Sequence, residues 1–210
     1  MVKDLMKKLL FSFHLMTHPF DGFWDLKNEK RGSVGAATII LLLLIVTKIL
    51  QRQFTGYVFN QNDLTEINLF NEILGIVLPF LIWCISNWCL TTLFDGEGSF
   101  KDIYIYTAYS LVPYIVISIP LVLLSRVMVQ DEGTIITGIS YIAVLWSAFL
   151  IFTGTLTTHQ YTAGKTFLII ACIIIGMAII LFMGLLFFIL LQQLMNFAVS
   201  FFREVALRLA

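Results

Sequence analysis

Charge is scarce in this sequence. Only 12% of its 210 residues are Asp, Glu, Lys or Arg, about half the share in an ordinary soluble domain. Acids and bases also cancel, 13 against 13, so there is no basic field for a nucleic-acid backbone and no nucleic-acid partner is expected. Cysteine is almost as rare. Three cysteines without a C-x-x-C pair give neither a disulfide framework nor a zinc ribbon. Cys84, Cys89 and Cys172 instead lie in apolar runs, where a small polarisable side chain packs well.

Long uncharged runs fill the space that charge leaves. Residues 32–47, 73–94, 103–125, 133–164 and 166–202 contain no Asp, Glu, Lys or Arg, and the mean hydropathy is +0.92. The longer runs reach the roughly 20 residues that cross a bilayer core. The fold expected is all-α, a polytopic transmembrane helical bundle with five spans. These run from Ser33 to Arg52, Leu69 to Phe94, Ile103 to Ser125, Ile135 to Leu156 and Thr166 to Leu191. Pro113 and Pro120 remove backbone donors from the third span, which should be kinked or interrupted. The segments between spans are too short to fold as a catalytic domain.

Amphipathic helices should flank the spans. Val2, Leu5, Met6, Leu9, Leu10 and Phe13 recur at helical spacing, with Lys3, Asp4, Lys7 and Lys8 on the other side. That pattern suits a helix lying among lipid headgroups. His14 interrupts the apolar run and no A-x-A-like site follows, so a cleaved signal peptide is not expected. Lys7, Lys8, Trp24, Lys30 and Arg31 are the candidate membrane-interface residues. At the other end Leu194, Ala198, Phe202, Val205 and Leu209 form a stripe opposite Asn196, Ser200, Arg203 and Arg208, which predicts a second interfacial helix. With the N-terminus inside, eight of the 13 Lys and Arg residues fall on the cytoplasmic side and five on the other. That excess predicts a cytoplasmic N-terminus.

Catalytic patterns fail on geometry. His14 and His18 are four apart, but Pro19 disfavours helical geometry at His18, so no metal site is expected. Gly164-Lys165-Thr166 matches the end of a phosphate-binding loop, yet His159 stands where that pattern needs glycine. Gly138-Ile139-Ser140-Tyr141 lacks a base: His159 is 19 residues on, about 28 Å along a continuous helix. Gly138 and Ser140 suggest close helix packing instead, as do Gly176 and Gly184. Asn87, with Ser86, Thr91 and Thr92, is the most polar cluster inside a span. It predicts interhelical hydrogen bonds, or else the lining of a polar pathway. No cofactor and no enzymatic activity are expected.

Two stretches carry a resemblance. The first is HPFDGFWDLKNEKRGS, His18 to Ser33; the second is DGEGSFKDIYIYTAYSLVPY, Asp95 to Tyr114. Together with five spans they resemble bacterial members of the Yip (Ypt-interacting protein) domain family, over most of the chain. The resemblance divides it into a cytoplasmic N-terminal segment (1–32), a five-span membrane domain (33–192) and a C-terminal amphipathic helix (193–210). Asp95, Gly96, Gly98, Tyr109, Ser110, Pro113 and Tyr114, with Asn87, are the candidate interaction or structural residues. Tyr104, Tyr106 and Tyr109 should set phenols at the interface. Pro113 should free a carbonyl near Tyr109 for Ser110 or a neighbouring helix to satisfy; the kink is either a structural bend alone or the opening of a small crevice between the second and third spans.

In eukaryotes that family is associated with prenylated Rab-type GTPases and membrane shaping, through proteins with a larger cytosolic N-terminal region. This sequence shows about 33 residues before its first span, so Rab binding is not carried over. The resemblance implies a multi-pass protein of the bacterial plasma membrane, acting as an accessory or scaffold protein. Its partners would be the lipid bilayer and another membrane protein, by family association an ABC-type transport system; a homo-oligomer is also open. The alternative is a small oligomeric membrane transporter or channel that uses the Asn87 cluster.

Overall fold

Helix ends fall where the sequence supplies caps. The Ser33 hydroxyl accepts from the Ala36 N–H at 3.2 Å, and the Asn68 side chain accepts from the Phe70 N–H at 3.0 Å. Ser99 and Asp102 form a reciprocal capping box, the arrangement that satisfies two orphan N–H groups at once. Three helices end on a non-glycine residue in the left-handed region: Lys30 (φ 52°), Asp95 (φ 56°) and Gln160 (φ 54°). All three stand at one end of the bundle, the near end; the α3–α4 and α6–α7 connections define the far end.

The computed structural model describes residues 2–57, 59 and 68–209, without the side chains of Val2, Val205, Ala206 and Leu209. Its helices are α1 (Val2–Thr17), α2 (Pro19–Asn28), α3 (Val34–Phe54), α4 (Leu69–Leu93), α5 (Phe100–Ser110), α6 (Val112–Leu124), α7 (Gly133–His159) and α8 (Ala163–Leu209). Five stretches are long and apolar enough to cross a membrane: α3, α4, α5 with α6, α7, and α8 to Glu204. The fold is the all-α five-span bundle that the charge-free runs predict.

The third span is the axis. It breaks at Leu111, where α5 gives way to α6, because Pro113 has no N–H for the Tyr109 carbonyl. The Leu111 N–H turns back to Ala108 at 3.1 Å, and Ile115 resumes the ladder onto Leu111. Of the partners open to the Tyr109 carbonyl, Ser110 is not the one used: its hydroxyl donates to Tyr106 O at 2.7 Å. Around this axis α3 packs on both α5 and α6, α7 covers the opposite side, α4 lies against α5, and α8 leans on α4. Leu15, Phe23, Ala36, Ala37, Ile103, Tyr106, Tyr109 and Leu150 are fully buried together at the centre.

Both flanking segments are joined to the bundle. The N-terminal helices also reach the bundle, since Leu15, Phe23 and Leu26 belong to its core. The apolar arc of α1 is shared: Leu5 and Leu9 turn inward while Met6, Leu10 and Phe13 stay exposed. Helix α2 follows α7, from Lys27 on the Thr158 carbonyl to Phe20 edge-on to Phe149. Those two α7 residues lie about 13 Å apart along the helix axis. An amphipathic pattern does not tell lipid from protein as the apolar partner, and part of the α1 arc meets protein here.

The boundary drawn at residues 192–193 is absent as well. The expected second interfacial helix is the continuation of α8, one 47-residue helix. No proline or glycine follows Gly184, and periodicity sets a face but not an end. Leu194 and Phe202 of the predicted stripe are exposed, whereas the side chains of Val205 and Leu209 lie outside the description.

Glycines show where backbones must touch. A Cβ on Gly154 would stand 2.7 Å from Tyr106 and 3.1 Å from Phe23, and one on Gly176 would stand 2.5 Å from the Ser86 hydroxyl. Gly138 and Gly184, read from sequence as packing residues, have nothing within 4 Å. The same substitution should therefore have different effects at two sites of one helix. Gly154→Ala is expected to cost about 1–3 kcal/mol by overpacking, read as a lower unfolding midpoint in detergent. Gly138→Ala should leave the midpoint unchanged or raise it, as alanine favours helix.

Candidate functional site

The two blocks that carry the family resemblance are joined in space. Pro19 opens α2, and the turn before it lets Gly22 approach the Leu15 backbone, where a Cβ would sit 3.0 Å from Leu15 Cα. This sets the α2 side chains against the third and fourth spans. Phe23 meets the Tyr106 ring edge to face at 6.3 Å. One turn on, the Lys27 ammonium donates to the Thr158 carbonyl at 2.9 Å and pairs with Glu97 at 3.1 Å. A Cβ on Gly32 would stand 2.8 Å from Ile105. The first block thus closes over the second.

The Asp95–Ser99 turn is held on three sides. The Gly96 N–H donates to Thr91 O at 2.8 Å, and the Gly98 N–H donates to His159 Nδ1 at 3.2 Å. Any side chain at Gly96 or Gly98 would strike His159, at 2.6 Å in both cases. The His159 ring stacks on Tyr161 at 5.5 Å. Because Nδ1 accepts, the imidazole proton resides on Nε2, which is buried and has no partner among the described residues. Tyr161 donates to the Phe94 carbonyl at 3.2 Å, and Lys165 donates to the same oxygen at 2.9 Å while lying over the Tyr161 ring. Burial, helped by the negative charge of Asp95, holds the Tyr161 phenol above its ordinary pKa, which keeps it a donor. Gln160 closes the ring with a 2.6 Å bond to Glu97.

Below this turn runs a directed chain of hydrogen bonds. Thr155 spends its proton on the Ile151 carbonyl at 2.8 Å, so at the 3.1 Å contact with Tyr106 the phenol is the donor. Asn87 Nδ2 in turn donates to Tyr106 Oη at 2.6 Å. Three spans are joined by one run of aligned dipoles among buried side chains, where such chains strengthen themselves. Ser86 adds a bond to the Ile173 carbonyl at 2.9 Å, joining α4 to α8. The Thr91 and Thr92 hydroxyls donate to carbonyls within α4.

Of the residues picked from sequence, Asn87, Gly96 and Gly98 fall in or beside this cluster, with Asp95 exposed at its rim. Ser110 lies deeper. Tyr106 and Tyr109 are fully buried rather than interfacial, and Tyr109 donates to the Lys8 carbonyl at 3.1 Å. Tyr104 alone is near the edge, at 3.1 Å from the Thr38 hydroxyl. Tyr114 lies toward the far end, bonded to Gln51 at 2.8 Å under the Lys48 ammonium. Among the interface candidates, Lys7, Trp24 and Lys30 are exposed. Lys8 is half-buried and pairs with Asp4, while Arg31 is tied to Asp25 and Glu29 and lies over Phe11.

The crevice predicted beside Pro113 opens elsewhere. It lies between α3, the α5–α6 break and α7, not between the second and third spans, because Asn87–Tyr106 and Phe80–Tyr104 close that side. His14 and His18 stack at 5.1 Å. No group of three potential metal ligands occurs among the described residues. Sequence reasoning missed Lys27, Tyr106, Thr155, His159 and Tyr161 as partners; the only available signal was their polar character inside or beside apolar runs.

This arrangement defines a class, a multi-pass integral membrane protein whose near end is packed around polar side chains. The chain belongs to the Yip1-domain family: the family model, described as the Yip1 domain, matches residues 13–186. No match is found among curated proteins, and none among solved structures. If the Asn87–Tyr106–Thr155 chain is structural, Tyr106→Phe should cost about 1–3 kcal/mol by orphaning buried partners. In reversible denaturation, Tyr106→Phe and Thr155→Val together should cost clearly less than the two separate losses combined.

Proposed function

We propose that the protein is a non-enzymatic accessory or scaffold protein of a bacterial plasma membrane, with the near end in the cytoplasm as a docking face for another membrane protein. The observation that supports this reading most directly is the locking of the two blocks. Lys27, Glu97, Gln160, His159 and Tyr161 fix the Asp95–Ser99 turn, while Asp95, Glu97, Ser99 and Lys101 stay exposed. A face ordered before its partner arrives loses little entropy on binding. The excess of Lys and Arg on this side favours the cytoplasm, and the family association points to an ABC-type transport system as the partner. Asn87 is fully buried and spends its amide nitrogen on Tyr106, while its Oδ1 has no partner among the described residues; the bond across helices favours a structural role over the lining of a transport pathway.

Crosslinking in native membranes followed by mild-detergent purification tests the reading. A stoichiometric membrane-protein partner is expected, and Asp95→Lys with Lys101→Glu should reduce its recovery without lowering the yield of folded protein. A chain recovered alone, or equal recovery with the charge-reversed face, would overturn it. Sidedness is tested separately. Lys101→Cys should react with an impermeant maleimide from the cytoplasmic side only, and Val127→Cys, 85% exposed in the α6–α7 connection, from the other side only.

A further inference from the structure

The crevice beside the α5–α6 break is a groove of about 310 Å³ open toward lipid. Leu44, Leu111, Val144, Ala148 and Ile151 make its walls apolar, and three polar-tipped side chains interrupt them: Lys48, Tyr114 and Ser147. Lys48 is six residues before the end of α3, about 9 Å inside that end. Its ammonium stands 4.6 Å from the centre of the Tyr114 ring and, among the described residues, forms no salt bridge. A lysine at this depth is costly and calls for a partner or an outward reach to the headgroups. The second observation is independent. Ser147 is 5% exposed, and its hydroxyl has no partner among the described residues, although a serine in a helix can ordinarily bond back to the preceding turn.

Charge and polarity therefore run in one direction. The cation lies toward the far end, an unpartnered donor lines the groove, and apolar walls continue inward past Leu44 and Leu111. A free anion would leave those walls unfilled, and a neutral hydrocarbon would leave Lys48 and Ser147 unmatched. We propose that the groove holds an anionic phospholipid of the far leaflet. Its phosphate meets Lys48, an ester carbonyl accepts from Ser147, and one acyl chain lies between Leu44, Leu111 and Ile151. The site belongs to the α3–α6–α7 side of the bundle and is independent of whichever partner docks at the near end.

The test uses the full chain in phosphatidylcholine nanodiscs carrying a trace of acyl-chain diazirine probe, either phosphatidylglycerol or phosphatidylcholine. After photolysis, labelled peptides are mapped by mass spectrometry. Peptides containing Leu111 and residues 144–151 should be labelled about fivefold more by the glycerol probe, the effect of one lysine–anion contact. Lys48→Met should abolish that preference, Lys48→Arg should keep it, and Ala148→Phe should lower labelling by both probes by filling the groove. Each variant's thermal unfolding separates loss of the site from loss of the fold. Equal labelling by the two probes in the wild-type chain, or an undiminished preference in folded Lys48→Met, overturns the proposal.

Discussion

The structure depends most on the hydroxyl of Tyr106, buried where no water can replace its partners. It receives a hydrogen bond from Asn87 on α4 and gives one to Thr155 on α7, while its ring is held by Phe23 of α2. In hydrocarbon there is little hydrophobic force between helices, so close packing and such bonds decide which faces meet. Gly154 matters for the same reason: its missing side chain is what lets α7 approach both rings. One side chain thus sets the positions of four helices relative to one another.

Order is unevenly distributed along this architecture. The near end is closed by bonds from α2, α7 and the start of α8 onto Phe94 and the turn after it, and each of three helices stops there on a left-handed residue. Such residues are strained unless their surroundings hold them, and at Gln160 the holding contact to Glu97 is visible. Helix α8 is the opposite case. Ile169, Ile173 and Gly176 anchor its first turns on α4, and from Leu185 to Glu204 every side chain but that of Ala198 is exposed. An exposed apolar helix needs no explanation in lipid, where acyl chains cover it.

The candidate site was half legible. Gly96 and Gly98 stood out because they belong to the second of the two blocks that carry the resemblance, and Asn87 because it stands in the most polar cluster inside a span. What they touch was hidden. His159, read only as a base too far from Ser140, packs on a turn about 60 residues away in sequence. Lys27, counted toward membrane orientation, is a clamp for Glu97. Tyr106 read as an interfacial phenol because sequence gives its distance from a helix end but not the helices that surround it.

Sequence alone determined the class and the order of the chain. Runs free of charge can be placed only in lipid, their length sets the number of spans, and Pro113 breaks the third because a missing N–H is a local fact. The two distinctive blocks were legible for the same reason, each being a continuous string. Tertiary structure decided the rest: that those blocks close on one another, that α2 descends along α7, that the crevice opens toward α3 and α7, and that α8 continues unbroken. Each of these depends on which apolar face meets which, and in a chain where 59% of residues are hydrophobic nearly every face is a plausible partner. A few buried polar bonds and missing Cβ atoms make the choice.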